Sequence, residues 1–461
     1  MHKLIEFHAG ARLASGAFVL SALWLVYAAA RNWSHVDERR SVAAAAVLIL
    51  LGCVGLMVHA HEALPELAAL AALCGALAAL PHATRRPLLA GGWFGAALGC
   101  AFLSGGWIAP GSLGVAVLAA HLSCEEWRSA KALPFLSGAL AVAVALGGSW
   151  PLALWLHSPE LFASWWTLAT QPQGTAMTNL RYFLSTGAWF AWPAWPLALW
   201  ALWALRRRLS EARLFVPAAA TVVMLGCISF WGPAQDVNLI PLLAPLALLA
   251  AQGVASVRRG AAAALDWFGV ITFGFFAGLV WLGYMGMMTG VPPRVANNFV
   301  RAAPGFVAHF DLLAFLVALA LAVGWLYGVL FTSPSPTRSV TRWAAGMVLL
   351  WGSFAMLWMP WADYQKSYRS VALQLRSKIP PGAPCLAQKS LGIPQAAALD
   401  YHAGIRARPF NALKPGACPL LLVQGSPGNE TDAPGPGWTK LADVGRPGDR
   451  LERHRLYRLK K

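Results

Sequence analysis

Leu312-Leu-Ala-Phe-Leu-Val-Ala-Leu-Ala-Leu-Ala-Val-Gly-Trp-Leu-Tyr-Gly-Val-Leu-Phe331 runs for twenty residues without a charge. As a helix it rises about 30 Å, the thickness of a bilayer's hydrocarbon core. Runs of this kind recur from Ala11 to Trp361. They give twelve expected spans, at 11–30, 42–58, 64–79, 88–104, 108–121, 133–156, 188–205, 214–231, 239–255, 264–287, 312–331 and 343–359. The run at 108–121 is short enough to be re-entrant. Composition agrees: 58% of residues are hydrophobic and 12% charged, where a soluble domain carries about a quarter charged. The chain holds 23 tryptophans, a residue that gathers at membrane–water interfaces.

Orientation follows from the loops. Arg31, Arg39 and Arg40 follow the first span, Arg85 and Arg86 the third, and Arg128 and Lys131 the fifth. Arg206, Arg207, Arg208 and Arg213 follow the seventh, Arg258 and Arg259 the ninth, and Arg338 and Arg342 the eleventh. Every second loop is basic, which assigns these loops to the cytoplasm of a bacterial inner membrane. The net charge of +17 therefore reads as topology and contact with anionic lipid. It does not read as nucleic-acid binding, since there is no zinc-finger spacing and no basic helix beside an aromatic platform. The same phase puts the residues after Trp361 and the N-terminus in the periplasm. An N-out start without a leader leads to the expectation that a preceding helix and loop are missing from this chain.

Two domains are expected, a membrane domain at 1–361 and an α/β cap at 362–461. The tail is rich in proline, glycine and charge. Segments 364–378 and 394–401 read as helices, 385–388, 419–424 and 451–459 as strands, and 425–437 as a loop. Cys385 and Cys418 are the only cysteines of the tail. In an oxidising compartment they are expected to form a disulfide. No Walker or GxGxxG motif occurs, which disfavours an ATP-driven pump.

Ionisable groups near a membrane are costly and tend to be functional. His59-Ala-His-Glu-Ala-Leu-Pro-Glu-Leu67 joins the second and third spans. His59, His61, Glu62 and Glu66 there have the chemistry of acid and base, or of ligands to a divalent cation, for which His61 and Glu62 are the candidates. Helix-capping carboxylates are the plainer reading. The outer loop 157–186 carries His157, Glu160, Trp165, Trp166, Gln171, Gln173, Asn179, Arg181 and Tyr182. Aromatic faces and amides suit a sugar, and arginine suits a phosphate; an amphipathic loop anchored by tryptophans is the alternative. Gln235-Asp-Val-Asn238 precedes the ninth span, where Asp236 serves catalysis or caps the helix. Glu62, Glu66 and Asp236 are the expected catalytic residues and Trp165, Arg181, Tyr182, Gln235 and Asn238 the expected substrate-binding ones; Glu62 and Glu66, with His61, are expected to face a cavity that opens to the periplasm and is shared with Arg181 and Asp236.

The order of features resembles a known family. Ala11-Arg-Leu-Ala-Ser15 opens the first span and the His/Glu loop follows the second. Phe102-Leu-Ser-Gly-Gly-Trp-Ile-Ala-Pro110 is similar to an "FL-x-K-G-x-x-A-P" turn. Trp192-Pro-Ala-Trp-Pro196 follows the long outer loop, and Leu239-Ile-Pro-Leu-Leu-Ala-Pro245 is similar to a "Y-L-L-P-x-x-P" helix start. With the α/β cap, these resemble the bacterial aminoarabinose transferases of the GT-C membrane glycosyltransferases. The resemblance implies transfer of a sugar from a polyprenyl-phosphate donor to a lipid or glycan acceptor such as lipid A, with a bound divalent cation in some members. Three departures stand out. The family's acidic residue of the first outer loop has no counterpart here. Ser104 and Gly105 stand where the family has Lys-Gly. Gln235, Asp236 and Asn238 replace a basic residue and a tyrosine. A flippase of a lipid-linked saccharide and a non-catalytic relative are the competing readings. Paired halves, which a transporter would show, are not seen.

Overall fold

The computed structural model describes residues 7–128, 131–333, 335–410, 418–428 and 434–460. The first half runs α1 (Phe7–Trp33), α2 (Arg39–Leu51), α3 (Val54–His59), α4 (Pro65–Ala79), α5 (Pro87–Gly105), α6 (Ile108–Ser123), α7 (Ala132–Gly147), α8 (Ser149–His157), α9 (Pro159–Thr170) and α10 (Ala176–Phe190). There follow α11 (Ala194–Ala204), α12 (Ala212–Trp231), α13 (Leu243–Gly253), α14 (Arg259–Thr289), α15 (Pro293–Ala302), α16 (Leu312–Phe331), α17 (Arg338–Leu357), α18 (Met359–Lys366), α19 (Arg369–Lys378) and α20 (Ile393–Ala403). This is a polytopic helical bundle with a small C-terminal α/β region.

Among the described residues eight helices are long and apolar enough to cross a membrane. The other four expected spans are shorter helices, and local chemistry explains each. Segment 42–58 breaks between α2 and α3 because the Trp343 indole donates to the Gly52 carbonyl at 2.8 Å. A Cβ on Gly52 would lie 2.8 Å from that ring. Segment 188–205 turns at Pro193, which has no N–H to continue a helical ladder. Segment 239–255 begins with a 3-10 turn, Asp236–Leu239, before α13. Segment 108–121 is α6, reached from α5 through Gly106 at φ 77°. That positive φ gives the tight reversal expected from the glycines there.

The expected outer loop 157–186 is corrected to α9 and most of α10. Pro159 occupies the first turn of α9, where its missing N–H costs nothing. Close approach organises the neighbouring bundle. On α5, a Cβ at Gly91 would lie 2.3 Å from the Phe135 carbonyl oxygen, and one at Gly95 2.2 Å from that of Ala139. Small residues four apart thus let α5 and α7 touch backbone to backbone.

The chain divides into two compact units, Met1–Gly274 with Val323–Trp351, and Phe275–Ala322 with Gly352–Lys461. This division departs from the expected boundary after residue 361. Within the second unit, Trp358 Nε1 donates to the Val280 carbonyl at 2.8 Å, Tyr364 Oη to that of Pro304 at 3.0 Å, and Gln365 Nε2 to that of Ala302 at 3.1 Å. These bonds gather 275–322 with the C-terminal residues.

The C-terminal residues form a mixed sheet: β1 (Leu386–Lys389), β2 (Arg408–Pro409), β3 (Leu420–Gly425), β4 (Trp438–Val444) and β5 (Arg453–Leu459), in the order β2-β1-β3-β5-β4. Strand β1 is parallel to β2 and β3; β5 is antiparallel to β3 and β4. Side chains alternate between faces. Leu420, Leu422 and Leu456 pack with Val371 and Leu375 of α19 and Leu399 of α20. Leu421, Val423 and Tyr457 pack on the other face with Cys418. The helix expected at 364–378 is two, because Ser367 is extended and its Oγ accepts from Arg369 N–H at 3.2 Å, which starts α19 afresh. Cys385 and Cys418 are bonded, with Cα atoms 5.3 Å apart. Part of the expected loop 425–437, at 429–433, lies outside the described residues.

Candidate active site

The end of α3 is fixed before it presents anything. A Cβ on Gly55 would fall 2.3 Å from the Phe190 ring, so only glycine lets α3 lie against α10. Val54 N–H donates to the Trp192 carbonyl at 3.3 Å. His59, in the last turn of α3, is thereby buried with its ring 5.8 Å from that of Phe190.

His59 joins two acidic segments. Its Nδ1 is 2.6 Å from Glu62 Oε2, and its Nε2 is 3.4 Å from Asp236 Oδ2. Both carboxylates thus lie within ion-pair reach of the one ring, and the shorter contact, to Glu62, is a hydrogen bond. His59 is 10% exposed in its side chain, whereas Glu62 is 43% and Asp236 48% exposed. The imidazole is inside and the acids reach out. Asp236 Oδ1 also accepts from Val237 N–H at 3.0 Å. The helix α10 packs against both α3 and the Asp236–Leu239 turn, so three elements converge here.

The remaining expected residues are placed as follows. His61 is half-buried, its ring 5.5 Å from that of Trp351, and its Nδ1 is buried without a partner. Burial pushes this ring below the ordinary histidine value, against the opposing pull of Glu62. Glu66 sits in the first turn of α4, where the helix dipole favours a carboxylate, and its Oε2 is buried without a partner. Arg181 is exposed on α10, and among the described residues no ion pair holds it. Tyr182 is half-buried against the main core. Gln235 is exposed; Asn238 Nδ2 donates to the Pro233 carbonyl at 2.9 Å and closes the turn.

Two residues of the former outer loop serve packing. Trp165 lies in an aromatic cluster, with ring centroids 5.2 Å from Trp150 and 6.4 Å from Phe102. Asn179 is buried, and its amide donates to the carbonyls of Gln173 at 2.6 Å and of Ser229 and Gly232 at 3.2 Å each. Its donors are spent on backbone and fasten the start of α10 to the end of α12. Ser104 donates to the Cys100 carbonyl at 2.8 Å, back along its own helix.

Glu62 is engaged by His59, and the buried His61 Nδ1 belongs to a ring held against Trp351. Among the described residues no three His, Cys, Asp or Glu side chains are grouped to hold a metal ion.

The imidazole that joins the acids is His59, although the sequence reading put the ligand role on His61. The signal was spacing. His59 and Glu62 are three apart at a helix end and meet on one side.

The fold is similar to that of a protein of solved structure. ArnT from Cupriavidus metallidurans, in a crystal structure bound to undecaprenyl phosphate, matches with a TM-score of 0.64 at 19% identity, over 96% of this chain and 83% of that one. The apo structure of the same protein matches with a TM-score of 0.63 at 18% identity and the same coverage. The chain therefore has an ArnT-like fold, as the order of its motifs implied. No family model matches the chain, and no curated protein matches it.

Proposed function

We propose that the chain is a membrane glycosyltransferase that moves a sugar from a polyprenyl-phosphate donor to a lipid or glycan acceptor, of the lipid A type, at the periplasmic face. The observation that carries this reading is the His59 bridge between Glu62 and Asp236 within an ArnT-like fold. The undecaprenyl phosphate bound by the structural neighbour supports the donor class.

In the proposed reaction the acceptor hydroxyl attacks the sugar's anomeric carbon. A new C–O bond forms there, and the bond from that carbon to the phosphate oxygen breaks. The acceptor's proton passes to a carboxylate, Asp236 or Glu62, and the electron pair leaves with the polyprenyl phosphate. Two carboxylates alone would repel that phosphate. His59 holds one of them by a hydrogen bond, and exposed Arg181 supplies a guanidinium for the phosphate oxygens. No step is routed through a metal ion.

Binding of undecaprenyl phosphate is the first test. The purified chain should be stabilised against heat by undecaprenyl phosphate and not by undecaprenol, because only the former carries the charge Arg181 would meet. Equal stabilisation by both lipids would sink the donor assignment.

A further inference from the structure

A cavity of about 670 Å³ opens between the C-terminal end of α13, the first turns of α14 and the lead into α17. Its lining includes Arg259, Asp266, Ser335, Arg338 and Ser339. It lies at the far end of α13 from Asp236, and the eleven residues of that helix alone rise about 17 Å. The site described above does not use it.

The charges in it do not balance. Asp266 is buried, and its Oδ2 takes Arg342 Nη1 at 2.8 Å and Arg338 Nη2 at 3.3 Å. Arg259 adds a third guanidinium at the exposed rim. In the lining, Arg259 and Arg338 against Asp266 leave one positive charge in excess, and Arg342, outside the lining, pairs with the same carboxylate. Asp266 Oδ1 is buried and without a hydrogen-bond partner. An occupant must bring an anion for the arginines and a donor for that oxygen.

The surroundings are those of a membrane surface. Trp267 is 67% and Ile271 65% exposed on α14 beside Asp266, an apolar flank along which acyl chains can lie. Arg206 and Arg258 stand over the Trp203 ring at 5.2 and 5.7 Å, the pairing of aromatic and basic side chains typical of an interface.

We propose that this cavity binds the headgroup of an anionic phospholipid, its phosphate on Arg259 and Arg338 and a headgroup hydroxyl donating to Asp266 Oδ1. Phosphatidylglycerol carries both groups. Basic pockets between membrane helices recognise such lipids. The ion pairs of Asp266 with α17 would by themselves only fasten two helices, and they give no reason for the rim arginine or the unpartnered oxygen.

Native mass spectrometry of the detergent-purified chain, titrated with lipid, tests this. Phosphatidylglycerol should bind more tightly than phosphatidylcholine. Arg259→Gln should weaken it about fivefold with an unchanged melting midpoint, and Arg259→Lys should retain it. Phosphatidylmethanol has the same charge without the hydroxyl and should bind more weakly than phosphatidylglycerol. Unaltered phosphatidylglycerol binding by Arg259→Gln would overturn the site, and parity with phosphatidylmethanol would overturn the Asp266 contact. Displacement of the lipid by glycerol 3-phosphate would assign the cavity to a soluble phosphoester and overturn the lipid.

Discussion

His59, at the end of α3, holds its Nε2 3.4 Å from the Asp236 carboxylate, which precedes α13. Removing that imidazole leaves two carboxylates facing the same space with no ring between them. His59→Asn should lower sugar transfer on the order of 10²-fold. Unchanged turnover in His59→Asn would reduce His59 to a packing role.

The α5–α7 contact gives a stability test with its own control. Gly95→Ala places a methyl 2.2 Å from the Ala139 carbonyl oxygen, whereas a Cβ on Gly92 meets nothing within 4 Å. Gly95→Ala should destabilise by about 1–3 kcal/mol. Gly92→Ala should be neutral or stabilising by up to about 1 kcal/mol. Melting in detergent distinguishes them, and equal midpoints would mean the helices separate without cost.

The bundle was legible because bilayer thickness sets the length of an apolar run, and runs such as 312–331 carry no other signal. The interruption of 42–58 was not, because it depends on Trp343, which lies far along the chain. Strand β3 was visible as an apolar run; β4 was not, since Trp438–Val444 alternates weakly and owes its place to pairing with β5. In the site, Glu62 and Asp236 could be named from type and loop. Their meeting through His59 is a tertiary fact. Asn179 and Trp165 had the chemistry of sugar binding, and their neighbours turned it to packing.

The Cys385–Cys418 bond closes a separation of 33 residues. On the loop-entropy model it should stabilise the C-terminal region by about 3–4 kcal/mol. Cys385→Ser with Cys418→Ser should expose the sheet to limited proteolysis at a lower temperature than the oxidised protein. Identical protease curves would show that the sheet stands without it.

Acid should weaken the same region, and three groups agree in sign. Burial would raise Asp443, but Arg453 and Arg455 overcome it and hold the carboxyl below its ordinary value. Burial likewise opposes, and backbone hydrogen bonds and Arg446 outweigh it, to depress Asp449. Burial pushes His454 below the ordinary 6.5, against the pull of Glu452. Each is more readily protonated in the unfolded chain, so stability is full above pH 6.5 and falls as pH drops below it. Proteolytic protection of the C-terminal region measured from pH 8 to pH 4 should decline below about 6.5; a rise on acidification would reverse the assigned signs.

The central claim is that Glu62 and Asp236 act on one sugar-transfer reaction. The direct measurement is transfer from a polyprenyl-phosphate-linked sugar to a lipid A acceptor by the purified chain, beside Glu62→Gln and Asp236→Asn. The proposal predicts product from the unsubstituted chain. It also predicts a loss on the order of 10²-fold or more in at least one variant, with the double substitution costing less than the product of the two single losses, as for groups that act together. Unchanged turnover in both variants, or movement of the donor across the bilayer without transfer, would contradict it.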